Sequence, residues 1–281
     1  KTGISRPEGQ TMKLVTYRTD VEGPARLGVI ESGTVVDVAE FGLDMGLDFP
    51  DRMLDFIDRG PNAVAQLHDA LREADGDWGN ALALPIETVT VLAPIPRPRK
   101  NIFGIGLNYL DHITESARAL DTDDALPREP VVFSKPPTAV VGPGDPVRHD
   151  GNMTQQLDWE VELAVIIGTT ARRIPRAGAL GHVFGYSVMI DVSARDNRRA
   201  GQWIFSKGMD TYAPFGPCIV TADGQWRGKA AIEHGQDAVQ GGGADQRSVA
   251  RHYTGTGRHH RIGHPRRGGC GTRSAGMALA R

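Results

Sequence analysis

A chain of 281 residues, 40% hydrophobic and 23% charged, can fill one large domain or a small one ahead of a large one. No apolar run approaches the roughly 18–20 residues that span a bilayer. No charged-then-apolar leader opens the chain, and two cysteines, Cys218 and Cys270, are too few for a disulfide framework, so a protein of the reducing cytoplasm without membrane partners is expected. The net charge of −2 averages unlike pieces: residues 1–223 carry 22 Lys/Arg against 31 Asp/Glu, and residues 224–281 carry 10 against 3.

Residues 1–11, KTGISRPEGQT, are polar and read as a disordered extension ahead of Met12 as the natural start. Residues 12–93 form a small β-rich N-terminal module. MKLVTYR, ARLGVIES and GTVVDVAEF predict short strands, the last two joined by a turn at Ser32-Gly33. Met53, Leu54, Ile57, Val64, Leu67 and Leu71 have helical spacing, broken at Gly60-Pro61. Pro94, Pro96 and Pro98 predict a stiff linker. The main domain, 94–223, alternates strands and loops: PVVFSKPPTAVVGPGDPV predicts two short strands, DWEVELAVIIG a buried one, and HVFGYSVMIDV another ending in an acid. With no long periodic helix and no repeat, the fold class is α+β with a large mixed sheet.

Glu160 and Glu162 are two apart in DWEVELAVIIG, so in a strand they share a face. Their neighbours from Val161 to Ile167 are otherwise apolar, which predicts a central strand buried on both faces. Two carboxylates there would repel and lose hydration, and a divalent cation removes both penalties. All-oxygen ligation suits magnesium, manganese or calcium. The alternative is an edge strand with both acids in water. Asp191 closes the next apolar run, where an acid can equally be a turn or helix cap. In GIGLNYLDHITE, a helix from Tyr109 would bring His112 and Glu115, three apart, to one face. A carboxylate there raises imidazole basicity, as a water-activating base requires; a plain surface pair is the alternative.

Taken in order, PIPRPRKNIFGIGLNYLDHITE, PVVFSKP, DWEVELAVIIG, DVSARD and SKGMDTYAPFGP resemble the fumarylacetoacetate hydrolase superfamily over residues 94–223. Its relatives include acylpyruvate hydrolases and 2-hydroxyhepta-2,4-diene-1,7-dioate isomerases. The resemblance implies a mixed β-roll, a homodimer, and magnesium (manganese or calcium as alternatives) on Glu160, Glu162 and Asp191. It implies catalytic roles for His112, Glu115 and Lys207, and places Tyr109, Arg195, Arg198 and Thr211 at the substrate. Arg198 stands where the family commonly has glutamine. The implied activity is metal-dependent hydrolysis of carbon–carbon bonds in acylpyruvates or related small 2-oxo acids. The alternatives are an isomerase or decarboxylase of 2-hydroxy-dienedioates in aromatic catabolism, or a non-catalytic remnant that binds metal.

After Asp223 the resemblance stops. Residues 224–281 hold 13 Gly and five Ile, Leu or Val, too few for a core, and predict an irregular tail. They lack the repeated RGG-aromatic texture of nucleic-acid-binding tails, so no nucleic-acid partner is expected. Read one nucleotide later, codons for Gly224–Glu233 permit V-N-G-E-A-R-Q-Q-S, and those for His264–Gly271 permit T-P-A-G-V-G, the family's closing loop. That order points to a frameshift near Asp223. The expected consequence is that the roll's last strands are missing, with sheet edges left open and activity impaired.

Overall fold

The computed structural model describes residues 11–106, 130–199, 201–222 and 277–279. Strands β1 (Lys13–Arg18), β2 (Arg26–Glu31) and β3 (Thr34–Asp37) form an antiparallel meander. Ser32 and Gly33, with φ of 49° and 85°, make the turn between β2 and β3, and both angles lie in the left-handed region that tight hairpins favour. The strand expected through GTVVDVAEF stops at Asp37, and helix α1 (Val38–Asp44) follows at once. Asp37 causes the change, since its side chain accepts from the Glu40 amide at 3.0 Å and satisfies a donor of the first helical turn. The helical run divides where expected, into α2 (Met53–Asp58) and α3 (Pro61–Ala74). Gly60 at φ 75° and Pro61 in the first turn separate them.

Asp37 also ties the module together. Tyr17 Oη donates to its Oδ2 at 2.8 Å and Arg26 Nε at 2.6 Å, while the carboxylate itself is fully buried. Burial alone would raise its pKa, but the bonds from Arg26, the Glu40 amide and Tyr17 hold it below the ordinary carboxylate range. A depressed folded pKa means that this stabilisation is complete above about pH 4 and is lost as pH falls through the folded value. Asp37→Ala is expected to cost about 3 kcal/mol at pH 7, because it strands buried partners. In urea denaturation the gap between variant and parent should begin to narrow as pH falls below about 4 and close only below the depressed folded value; a constant gap would contradict this account.

Strands β4 (Ala83–Pro85) and β5 (Thr90–Val91) extend the module, pairing with β3 and β1. The rest of the sheet comes from β6 (Ile102–Gly106), β7 (Val131–Lys135), β8 (Val140–Val141), β9 (Leu157–Ile167), β10 (Val183–Ala194) and β11 (Ala213–Thr221). Met277–Leu279 supplies β12. The order is β4-β3-β2-β1-β11-β10-β9-β12-β6-β7, mixed in direction. β8, a few residues beyond β7, pairs in parallel with β11. The chain thus returns from the outer strand to the middle of the sheet and curls it into a roll.

The N-terminal module is continuous with this roll. β1 pairs with β11, Lys13 opposite Val220, and one core includes Leu14, Phe41, Phe56, Ile102, Met189 and Phe215. The proline segment is held inside the junction: Ala93 and Ile95 are buried, and Thr16 Oγ1 donates to the Pro94 carbonyl at 2.6 Å. Of residues 224–281, only Met277–Leu279 are described. They pair in parallel with β9 and antiparallel with β6, so this triplet departs from the irregular tail the composition suggests. Both neighbouring strands present backbone groups that need partners there. No helix among the described residues is long and apolar enough to cross a membrane.

β9 corrects one expectation. Trp159, Val161 and Leu163 are 59%, 43% and 44% exposed, so the strand is not buried on both faces. The inward row is Glu160, Glu162, Ala164 and Ile166. An unbroken apolar run cannot reveal which alternate residues face inward; here the acids do.

Candidate metal centre

The centre is built on the β9–β10 pair. Asp191 lies opposite Glu160 and Met189 opposite Glu162, so the period-two alternation of both strands aims three carboxylates at one volume. Asp191 is inside β10, which continues to Ala194, and it therefore caps nothing. Glu160, Glu162 and Asp191 are 8%, 4% and 0% exposed, and one carboxylate oxygen from each lies within 4.8 Å of the others. The alternative with both glutamates in water is excluded by their burial; β12 pairs with the other side of β9 only at Ala164–Ile166.

Three cationic side chains offset the charge. Lys207 ends the short helix Ile204–Lys207; its Nζ donates to Asp191 Oδ2 and, at 2.8 Å, to Ser193 Oγ, and lies 3.5 Å from Glu160 Oε2. Lys135 Nζ, fully buried, is 2.8 Å from Asp191 Oδ1. Burial pushes this ammonium down to about 8, against the pull of Asp191. Arg195 Nη2 meets Glu160 Oε1 at 2.5 Å and Asp158 Oδ2 at 2.9 Å. Burial works against its charge, yet Glu160 and Asp158 hold its pKa above the usual range. The guanidinium expected at the substrate is thus engaged with protein carboxylates.

Aromatic packing fixes Lys207 from another side. Its Nζ lies 4.7 Å from the centre of the Phe133 ring, and Phe133 rests against Trp203 with ring centroids 5.5 Å apart. Gly104 makes room for this arrangement, because a Cβ there would fall 2.2 Å from Phe133. The first glycine of GIG in β6 is therefore a steric requirement of the lysine's platform.

Thr211 adopts φ 72°, uncommon for a β-branched residue, and its Oγ1 accepts from the Arg148 amide at 2.8 Å. Arg198 is half-buried and forms no ion pair among the described residues. Burial and the neighbouring Arg195 lower its pKa, while Glu160, Asp191 and Asp158 oppose them. Tyr109, His112 and Glu115 lie outside the described residues. Lys135 and Phe133, both in the run VVFSK, are the site residues that sequence reasoning left without a role. A lysine closing the short strand VVFSK was the available signal.

The donor set fits a hard divalent cation. Two oxygens on one ion are at most about 4.2 Å apart for magnesium and about 4.8 Å for calcium, and this group, with oxygen donors alone, lies within the wider limit.

Fold and site together define a mixed β-roll around a buried acidic centre. Residues 101–235 match the family Fumarylacetoacetate (FAA) hydrolase C-terminal. The mitochondrial oxaloacetate tautomerase fahd2 of Xenopus laevis is 34% identical over 228 residues, covering 79% of this chain and 66% of that protein. The fumarylacetoacetate hydrolase EaFAH of psychrophilic Exiguobacterium antarcticum is similar with a TM-score of 0.56 at 39% identity, over 75% of this chain and 66% of that one. Maleylpyruvate hydrolase of Sphingobium sp. SYK-6, in complex with manganese(II) and pyruvate, gives a TM-score of 0.52 at 27% identity, over 75% and 67%. The chain belongs to the fumarylacetoacetate hydrolase superfamily. It spans just under two thirds of the length of the curated relatives it matches first.

Proposed function

We propose that this chain is an enzyme of small 2-oxo acids that works with a divalent cation, magnesium foremost, held by Glu160, Glu162 and Asp191. The convergence of these three buried carboxylates within 4.8 Å carries the reading. Bound there, such a cation supplies Lewis acidity to the oxygen of the 2-oxo group. The chain's own residues do the rest. Lys207, at the triad, holds a proton and a positive charge where a substrate carboxylate can meet them. Arg198 offers a second, half-buried positive charge. His112, paired with Glu115 by spacing, is the base. A homodimer in the cytoplasm belongs to the same reading, from the family resemblance and the two cysteines.

Keto–enol tautomerisation is the favoured reaction, because the curated relative at 34% identity is named for it, with oxaloacetate as its substrate. It asks only that a proton leave one atom and reach another across the carbon beside the 2-oxo group. Carbon–carbon hydrolysis, the second reading, is favoured by the maleylpyruvate hydrolase likeness and also needs an activated water. The two are separated by supplying the full chain and magnesium with enol-oxaloacetate or with fumarylpyruvate. Tautomerisation leaves oxaloacetate intact, whereas hydrolysis releases pyruvate and fumarate. If neither substrate changes faster with protein and cation than with cation alone, the reading fails. His112→Ala is expected to lower turnover about 10²–10⁴-fold while manganese affinity stays within about twofold. Full activity in that variant would remove His112 from the mechanism.

A further inference from the structure

Lys135 ends β7, an outermost strand, yet its ammonium reaches Asp191 and Val192 of β10, at the middle of the sheet. It is fully buried and donates to three carbonyls, those of Val192 at 2.9 Å, Lys207 at 2.6 Å and Tyr212 at 2.9 Å, while Asp191 Oδ1 lies 2.8 Å away as an ion-pair contact. An ammonium has three protons, so all of its donor capacity is used. The three carbonyls belong to three separate segments. Val192 follows Asp191 in β10, Lys207 is itself the lysine at the triad, and Tyr212 follows Thr211 ahead of β11. One side chain therefore fixes the backbone of each segment that brings Asp191, Lys207 and Thr211 to the centre, and it also orients the Asp191 carboxylate.

We propose that Lys135 is a positioning residue of the metal centre, holding Asp191 in its ligating orientation through the ion pair with its carboxylate and the bond to the backbone of its segment. This rests on the reading of the triad as a metal centre. The ligand that Lys135 touches is the least exposed of the three, and its angle is set by two ammonium groups, Lys207 on Oδ2 and Lys135 on Oδ1. Groups that orient metal ligands in this way typically contribute about 10–100-fold to metal affinity.

The test is manganese affinity of the full chain, read from the electron paramagnetic resonance signal of free manganese(II), together with a circular dichroism spectrum. Lys135→Met is expected to weaken binding about 10–100-fold. Lys135→Gln, which keeps two donors for the carbonyls but loses the charge at Asp191, should weaken it less. In an Asp191→Asn background the further effect of Lys135→Met should vanish, since Lys135 acts through that carboxylate. Asp37→Ala, a destabilising change in the N-terminal module, serves as the control and should leave manganese affinity unchanged. Affinity within about twofold of the parent in both Lys135 variants would overturn the proposal. So would failure of both to fold, which would assign Lys135 to holding the roll together. A parent chain that binds no manganese would instead bring down the metal reading itself, and the positioning role with it.

Discussion

Glu162→Gln is expected to lower turnover on the order of 10³-fold or more and to remove magnesium binding, while the fold survives. Glu162 is 4% exposed and shares the 4.8 Å cluster with Glu160 and Asp191. Glutamine keeps its shape but removes one of three like charges. In the metal-free protein Lys207, Lys135 and Arg195 already offset the acidic charge, so variant and parent should differ little in stability. With magnesium the parent becomes the more stable, because a ligand that binds only the folded state stabilises it in proportion to the logarithm of its concentration over Kd. The measurement is a pair of thermal melts, with and without millimolar magnesium. The parent melting temperature should rise with the cation and that of the variant should not. A parent protein whose melting is indifferent to magnesium, manganese and calcium alike would sink the assignment.

Asp191→Ala should behave in the opposite way, by damaging the fold before any metal is added. Its carboxylate is fully buried and takes Lys207 on one oxygen and Lys135 on the other. Removing it strands two ammonium groups in the interior, and loss of one partner of a buried ion pair costs about 3–5 kcal/mol. Lys207 keeps Glu160 at 3.5 Å and Lys135 keeps three carbonyls, so the lower part of that range is expected. Urea denaturation in chelator gives the number. A loss below about 1 kcal/mol would mean that the lysines are not charged partners of Asp191 in the folded protein. The two variants together separate a ligand that the fold does not need from one that it does.

Several features of the chain were legible because they are local. Glu160 and Glu162 share a face in any strand, since side chains alternate with period two. Gly60-Pro61 had to break the helical run, and the Ser32-Gly33 turn followed from its residues. The end of β3 was not legible in the same way. Val-Asp-Val-Ala-Glu-Phe suits a strand as well as a helix, and only the capping bond from Asp37 to the Glu40 amide decides between them. Nor was the role of Arg195 visible, because its partners Asp158 and Glu160 lie across the β9–β10 pairing.

By itself the sequence determined that an acidic pair would share one face of a strand, and the order of its motifs carried Asp191 and Lys207 to the same family site. Tertiary structure decided which way β9 faces. The usual rule puts apolar residues inside, yet Trp159, Val161 and Leu163 point outward and the acids inward. The register with β10 sets Asp191 against Glu160, and Lys135, Lys207 and Arg195 converge to offset the buried charge. Tertiary structure also joined the N-terminal module to the roll through β1 and β11, and brought Lys135 from an outermost strand to Asp191. These are contacts between residues far apart in the chain. Local spacing cannot encode them, because they depend on how the sheet curls and closes.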